Sequence, residues 1–102
     1  MSQEILSIAI FQSLPGHEEA SLTTMRALIA ALSAGGFSRD VLYRDAKSRD
    51  YILLRHWKSE EARRAALEDS EVLRCWAKLA HEIRTVRIYE TLEEALGRQP
   101  RV

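Results

Sequence analysis

The side chains able to do chemistry gather in one stretch, Asp50 to Trp76. His56 ends an apolar run, Tyr51-Ile52-Leu53-Leu54, with Arg55 before it and Trp57 after it. An imidazole titrates near neutral pH, so a histidine lining an apolar pocket could accept a proton from a bound molecule. The competing reading of His56 is a histidine hydrogen-bonded at a sheet edge or in a subunit interface. Trp76 could stack on a flat aromatic molecule and hydrogen-bond a carbonyl through its indole N–H. Its competing reading is core filling. Arg55 takes the face opposite to His56, because side chains alternate along a strand. A buried guanidinium needs an acid beside it, since an unpaired one is costly. Pairing is therefore the first reading of Arg55, and anchoring an anionic ligand is the second.

The remaining reactive groups carry less. Cys75 is the single cysteine, so no internal disulfide can form, which fits a reducing compartment. It flanks an apolar helix stripe and reads as an inert small hydrophobe. His81 lies across the helix from that stripe, and His17 sits at a helix start; both read as surface. Tyr43 and Tyr89 could each bring a hydroxyl to a pocket edge. No histidine, cysteine or carboxylate cluster has metal-site spacing, and no glycine-rich phosphate loop is present, so no cofactor is expected. Fifteen basic and fifteen acidic side chains leave no basic stripe for nucleic acid. The run Ile5 to Phe11 is too short to span a membrane and follows Glu4 rather than a basic segment. The expectation is a cytoplasmic protein that binds neither nucleic acid nor membrane.

The elements that must hold these residues follow from periodicity and punctuation. Ile5 to Leu14 is β-branched and apolar and stops at Pro15-Gly16, a strand and a turn. His17 to Ala34 has helical spacing, with Leu22, Met25, Ile29 and Leu32 as its stripe and Gly35-Gly36 as its stop. Phe37–Arg44 and Tyr51–Trp57 are strands joined by the polar link Asp45 to Asp50, a hairpin. Ser59 caps a helix that pauses near Asp69-Ser70, where Ser70 could cap a second segment. Val72, Trp76, Leu79 and Ile83 form the second stripe. Arg84 to Leu92 is the last strand, and residues 93–102 are a polar tail after a single domain spanning 1–92.

The order β-α-β-β-α-β is the ferredoxin-like α+β arrangement, an antiparallel sheet with both helices on one face. Its open face is normally polar where it meets water. Here both parities of the strands keep apolar residues, among them Ile52 and Leu54 against Tyr51, Leu53 and Trp57. A second copy of the chain is the expected cover, giving a homodimeric α/β barrel packed sheet to sheet.

The chain resembles the antibiotic biosynthesis monooxygenase family over roughly residues 4 to 92. The resemblance rests on the Pro15-Gly16-His17-Glu18-Glu19 turn, the Gly35-Gly36 stop and the segment Tyr51 to Ala62. Ser70-Glu71-Val72-Leu73 and Thr85 to Glu90 complete it. It implies a dimeric α+β barrel and, by family analogy, a cofactor-free oxygenase using O2 on a planar phenol, quinol or anthrone. In that reading His56 accepts the proton, Trp76 is the stacking wall, and Ser7 and Phe11 add lining. The alternative is a non-catalytic dimer that binds a small ligand or serves a structural or regulatory role. Arg55 replaces a glutamate common in the family, and Leu67 and Val72 replace histidines. The residues of the haem-degrading branch fall near Ala9, Leu67 and Ala77, and none is kept, so the resemblance does not extend to haem degradation.

Overall fold

The elements form where local chemistry asks for them, and the computed structural model describes residues 5–97. In order they are β1 (Ile5–Ser13), α1 (Glu18–Ala34), β2 (Ser38–Arg44), β3 (Tyr51–Trp57), α2 (Glu60–Ala66), α3 (Ser70–Leu79) and β4 (Ile83–Leu92). The expected tail is described only to Gly97 and has no helix or strand there; residues 98–102 lie outside the described residues.

Helix ends explain the layout. α1 stops in a Schellman arrangement: Phe37 N–H donates to Leu32 O at 2.9 Å and Gly36 N–H to Ser33 O at 3.0 Å. Gly36 supplies the left-handed residue, with φ 69°. Gly35 is there for room: a Cβ on it would meet the Phe37 ring at 2.3 Å. The expected break in the second helical stretch is present. Ser59 caps α2 by accepting from Ala62 N–H at 3.0 Å. The cap of α3 is Asp69 rather than Ser70, its carboxylate accepting from Glu71 and Val72 N–H, both at 3.0 Å.

The four antiparallel strands lie in the order β2-β3-β1-β4. Register assigns the faces. Phe11, Tyr51, Leu53 and Trp57, at odd positions of β1 and β3, join Met25, Leu28, Leu32, Val72 and Leu79 in the core under the helices. The even positions Leu6, Ile8, Ile10, Ile52, Leu54 and His56 take the other face and are half-buried. The stripes differ from the spacing-based expectation. On α1 the buried set is Ser21, Thr24, Met25, Leu28 and Leu32, because the helix is rotated toward Ser13, whose hydroxyl hydrogen-bonds Ser21 at 2.6 Å. On α3 it is Val72, Cys75 and Leu79; Trp76 stands at the edge of that stripe, and Ile83 already belongs to β4.

The molecule is 18 Å through its thinnest axis, the depth of one sheet and one helix layer. Nothing among the described residues covers the even-numbered face. No helix among them is long and apolar enough to cross a membrane.

Candidate functional site

Pairing on the helix side arranges the sheet into cross-strand rows. Asp40 on β2 stands opposite Arg55 on β3, which stands opposite Ser7 on β1. The Ser7 hydroxyl donates to Glu90 O on β4 at 2.6 Å, so a polar row crosses all four strands. The next row, two residues along each strand, is apolar: Leu42, Leu53, Ala9 and Ile88. Beyond it Phe11 and Tyr51 stack at 5.4 Å between ring centroids.

A cleft of about 870 Å³ opens between these rows and the helices. The volume suits a small organic molecule. Phe11, Leu53, Met25 and Leu28 form its apolar depth. Trp76 and Leu79 of α3 make one wall, and Ile83, Thr85 and Ile88 of β4 make the other. Glu60, Arg63, Arg64 and Leu67 line it from α2; their spacing puts them on one side of that helix.

Arg55 is the charge set deepest in this lining, its side chain 11% exposed. Its Nε donates to Asp40 Oδ2 at 2.8 Å. Nη2 lies at 2.8 Å from the same oxygen yet makes no aligned hydrogen bond and is buried. Asp40, 1% exposed, accepts from the Ser38 hydroxyl on its other oxygen at 2.8 Å. The guanidinium carbon sits 5.3 Å from the Trp57 ring. Trp57 Nε1–H in turn donates to Ser7 Oγ at 3.1 Å. Asp40 and Trp57 therefore hold Arg55 from two sides. Toward the mouth, Glu60 is shared by Arg63 at 3.7 Å and Arg64 at 4.0 Å, and Arg63 also donates to Glu90 O at 3.2 Å.

Three of the four residues singled out from sequence line the cleft: Ser7, Phe11 and Trp76. Ser7 is already engaged, accepting from Trp57 and donating to Glu90 O. Phe11 is 2% exposed, deep in the core. His56 does not line the cleft. It faces the open side of the sheet, paired with Leu6 and Arg39, because the odd parity of β3 meets the helices and brings Arg55 in instead. Tyr43 and Tyr89 also face the open side, while His17 and His81 are exposed. Cys75 is buried outside the cleft lining, and that burial pushes its thiol pKa up, as suits an unreactive sulfur. Tyr51 is raised as well, by burial and by donating to Glu18 at 2.5 Å.

Sequence reasoning left out Asp40, Glu60, Arg63, Arg64 and Glu90. The signal for Asp40 was available: Arg44 and Tyr51 close the hairpin loop, and counting outward from them sets Asp40 against Arg55. Positions 60, 63, 64 and 67 likewise show helical spacing, but only the tertiary contact tells that this side of α2 meets a cleft.

No protein-family model and no curated protein matches the chain. Solved structures do. PA3566 from Pseudomonas aeruginosa is 25% identical over 93% of this chain and 98% of its own, with a TM-score of 0.77. SnoaB, a cofactor-independent oxygenase from Streptomyces nogalater, is 16% identical over 92% and 98%, with a TM-score of 0.74. A candidate antibiotic biosynthesis monooxygenase from Chloroflexus aurantiacus is 20% identical over 96% and 98%, with a TM-score of 0.72. Strand order, helix placement and these likenesses agree: the chain has the ferredoxin-like α+β fold of the antibiotic biosynthesis monooxygenases.

Proposed function

We propose that the chain is a cofactor-independent oxygenase acting on a small planar phenol, quinol or anthrone. The observation that carries this is the cleft, an apolar chamber walled by Trp76 and bordered by a polar row. The likeness in fold to SnoaB supports the reaction class. In that chemistry the deprotonated substrate passes one electron to O2. The substrate radical and superoxide recombine to a hydroperoxide on carbon, and O–O cleavage with loss of water leaves a carbonyl where the anthrone CH2, or a ring C–H of the phenol or quinol, stood. The protein's part is to exclude water, orient the ring and receive a proton. With His56 on the other face of the sheet, the acceptor we assign is a carboxylate of the cleft. Glu60 is held by two arginines, which leaves Glu90.

Oxygen uptake with a panel of quinols and anthrones tests the reading. Wild type should consume O2, Trp76→Ala should raise KM, and Glu90→Gln should lower kcat by about 100-fold, the lower range for a general base. His56→Ala should leave kcat within about twofold, as for a side chain away from the reacting atoms. No uptake with any member of the panel would sink the proposal.

A second reading has its own support. No histidine lines the cleft among the described residues, so a site that binds a small aromatic ligand without turning it over also fits. Saturable binding with no oxygen uptake would select it. In both readings we infer a homodimer joined through the open sheet face, supported by the apolar even-numbered side chains there.

A further inference from the structure

Strand β4 changes parity on its way along the cleft. Ile83 and Thr85 line the cleft at odd positions, Ile88 and Glu90 at even ones. A regular strand keeps one parity on one face, so an extra residue must intervene. It is Val86: Phe11 stands opposite Thr85 and Ile10 opposite Arg87, one step on β1 against two on β4. A second extra residue follows at Glu90 and Thr91. There Ile8 opposes Tyr89 and Leu6 opposes Leu92, so Ser7 faces two residues of β4. Leu92 thereby returns to the open face beside Leu6. Between the two bulges Glu90 is carried to the helix side, where the parity of Ile83 continued unbroken would turn it away.

The second bulge is gripped from two sides. A bulge takes a residue out of the ladder and leaves its backbone groups to other partners. Here the Glu90 carbonyl accepts from the Ser7 hydroxyl at 2.6 Å and from Arg63 Nη1 at 3.2 Å. The same Nη1 lies 3.3 Å from Thr91 Oγ1, so Glu90 and Thr91 both reach toward the helix side. Ser7 has no freedom to turn away, because its oxygen accepts from Trp57 Nε1–H at 3.1 Å while its proton goes to Glu90 O. One donor comes from β1 and the other from α2, on opposite sides of the cleft mouth. We infer that Ser7 and Arg63 are positioning residues: together they hold the β4 bulge that sets the Glu90 carboxylate in the cleft. That Glu90 receives the substrate's proton rests on the oxygenase reading; the grip on its backbone does not.

The test reads the two separately. Oxygen uptake over the quinol and anthrone panel gives kcat and KM for Ser7→Ala, Arg63→Gln, Glu90→Gln and each of the first two combined with Glu90→Gln. Amide hydrogen exchange of residues 88–92 is followed without substrate. Ser7→Ala should lower kcat about 10-fold or more, as a displaced base does, with KM within about twofold. On the Glu90→Gln background neither substitution should cost anything further, since the group it positions is gone. Exchange at 88–92 should rise about fivefold in Ser7→Ala and in Arg63→Gln, the equivalent of one lost hydrogen bond. Should Ser7→Ala fail to fold, because the Trp57 N–H loses its acceptor, Arg63→Gln carries the same cycle. Unchanged exchange in both variants overturns the inference, and so does a loss that repeats in full on Glu90→Gln. Uptake that falls in Glu90→Gln but not in Ser7→Ala or Arg63→Gln overturns it while keeping the oxygenase reading. No uptake by wild type, with exchange raised in both variants, removes the oxygenase reading and leaves the grip standing.

Discussion

At the scale of single residues, the sheet side of the cleft is organised by one ion pair. Asp40 and Arg55 are both withdrawn from water; the Ser38 hydroxyl holds the first and the Trp57 ring packs on the second. Breaking such a pair from one side leaves a buried charge, which costs more than the pair contributes when intact. Asp40→Ala should therefore lower the unfolding free energy by about 3 kcal/mol, whereas Asp40→Leu combined with Arg55→Met should recover most of that loss. Urea unfolding of the single and double variants checks it, and additive losses would count against the pairing.

Tyr51 gives a second residue-scale expectation, with a definite sign. Burial and its donation to Glu18 raise its pKa above the ordinary 10.0. The native state thus holds the phenolic proton more tightly than the unfolded chain does. The stability this confers is complete below pH about 10 and is lost as pH rises through the folded value. In Tyr51→Phe that alkaline loss should shrink, measurable as a flatter dependence of Tm on pH above 10.

At the scale of elements, the periodicity and punctuation of the chain carry nearly the whole architecture. Pro15-Gly16, Gly35-Gly36, Asp45–Asp50 and Ser59 are local signals, each read without knowledge of what packs on it. What stays hidden in the sequence is rotation and parity. α1 turns to bury Ser21, which a β1 hydroxyl is there to meet, and Thr24, whose hydroxyl donates to Ala20 O within the helix. The face of β3 that meets the helices is likewise decided by pairing with β1 and β2, and a wrong parity moves every side chain to the other face. That is how His56 and Arg55 exchange places between expectation and structure, while Trp76, whose helix is strongly amphipathic, stays within reach of the cleft. Asp69 shows the same limit on a smaller scale, taking as α3 cap the place expected of the adjacent Ser70. Asp69→Ala should cost about 1 kcal/mol and Ser70→Ala only a few tenths, since a serine at the first helical position adds no cap bond. Thermal unfolding distinguishes them. Gly36→Ala should cost about 1–2 kcal/mol for forcing a left-handed residue to carry a Cβ.

At the scale of the whole molecule, the sheet is lopsided. One face is buried beneath helices, and the other presents Leu6, Ile8, Ile10, Ile52 and Leu54 in its two central strands. Val41 at 47%, Tyr43 at 55% and Tyr89 at 40% exposure extend it into the flanking strands. A contiguous apolar patch of this kind marks an interaction surface rather than a solvated one. Its arginines lie on the outer strands: Arg39 pairs across from His56 on β2, while on β4 Arg87 stands opposite Ile10 with its guanidinium over the Tyr89 ring and Arg84 donates to Gln12 at the far end of β1. The proposed homodimer would cover it, since an apolar centre rimmed by polar groups can close on itself about a two-fold axis. Such packing would also explain why the cleft lies on the helix side, where two joined sheets leave it open to substrate. A charge at the patch centre should then separate the copies, since a carboxylate buried there would have no partner. Leu54→Asp is the variant to make: its side chain faces away from the cleft, so a folded monomer should respond to the oxygen-uptake panel as the wild type does. Sedimentation velocity should give a dimer for wild type at micromolar concentration and a monomer for Leu54→Asp. A wild-type monomer would mean that some other partner covers this face.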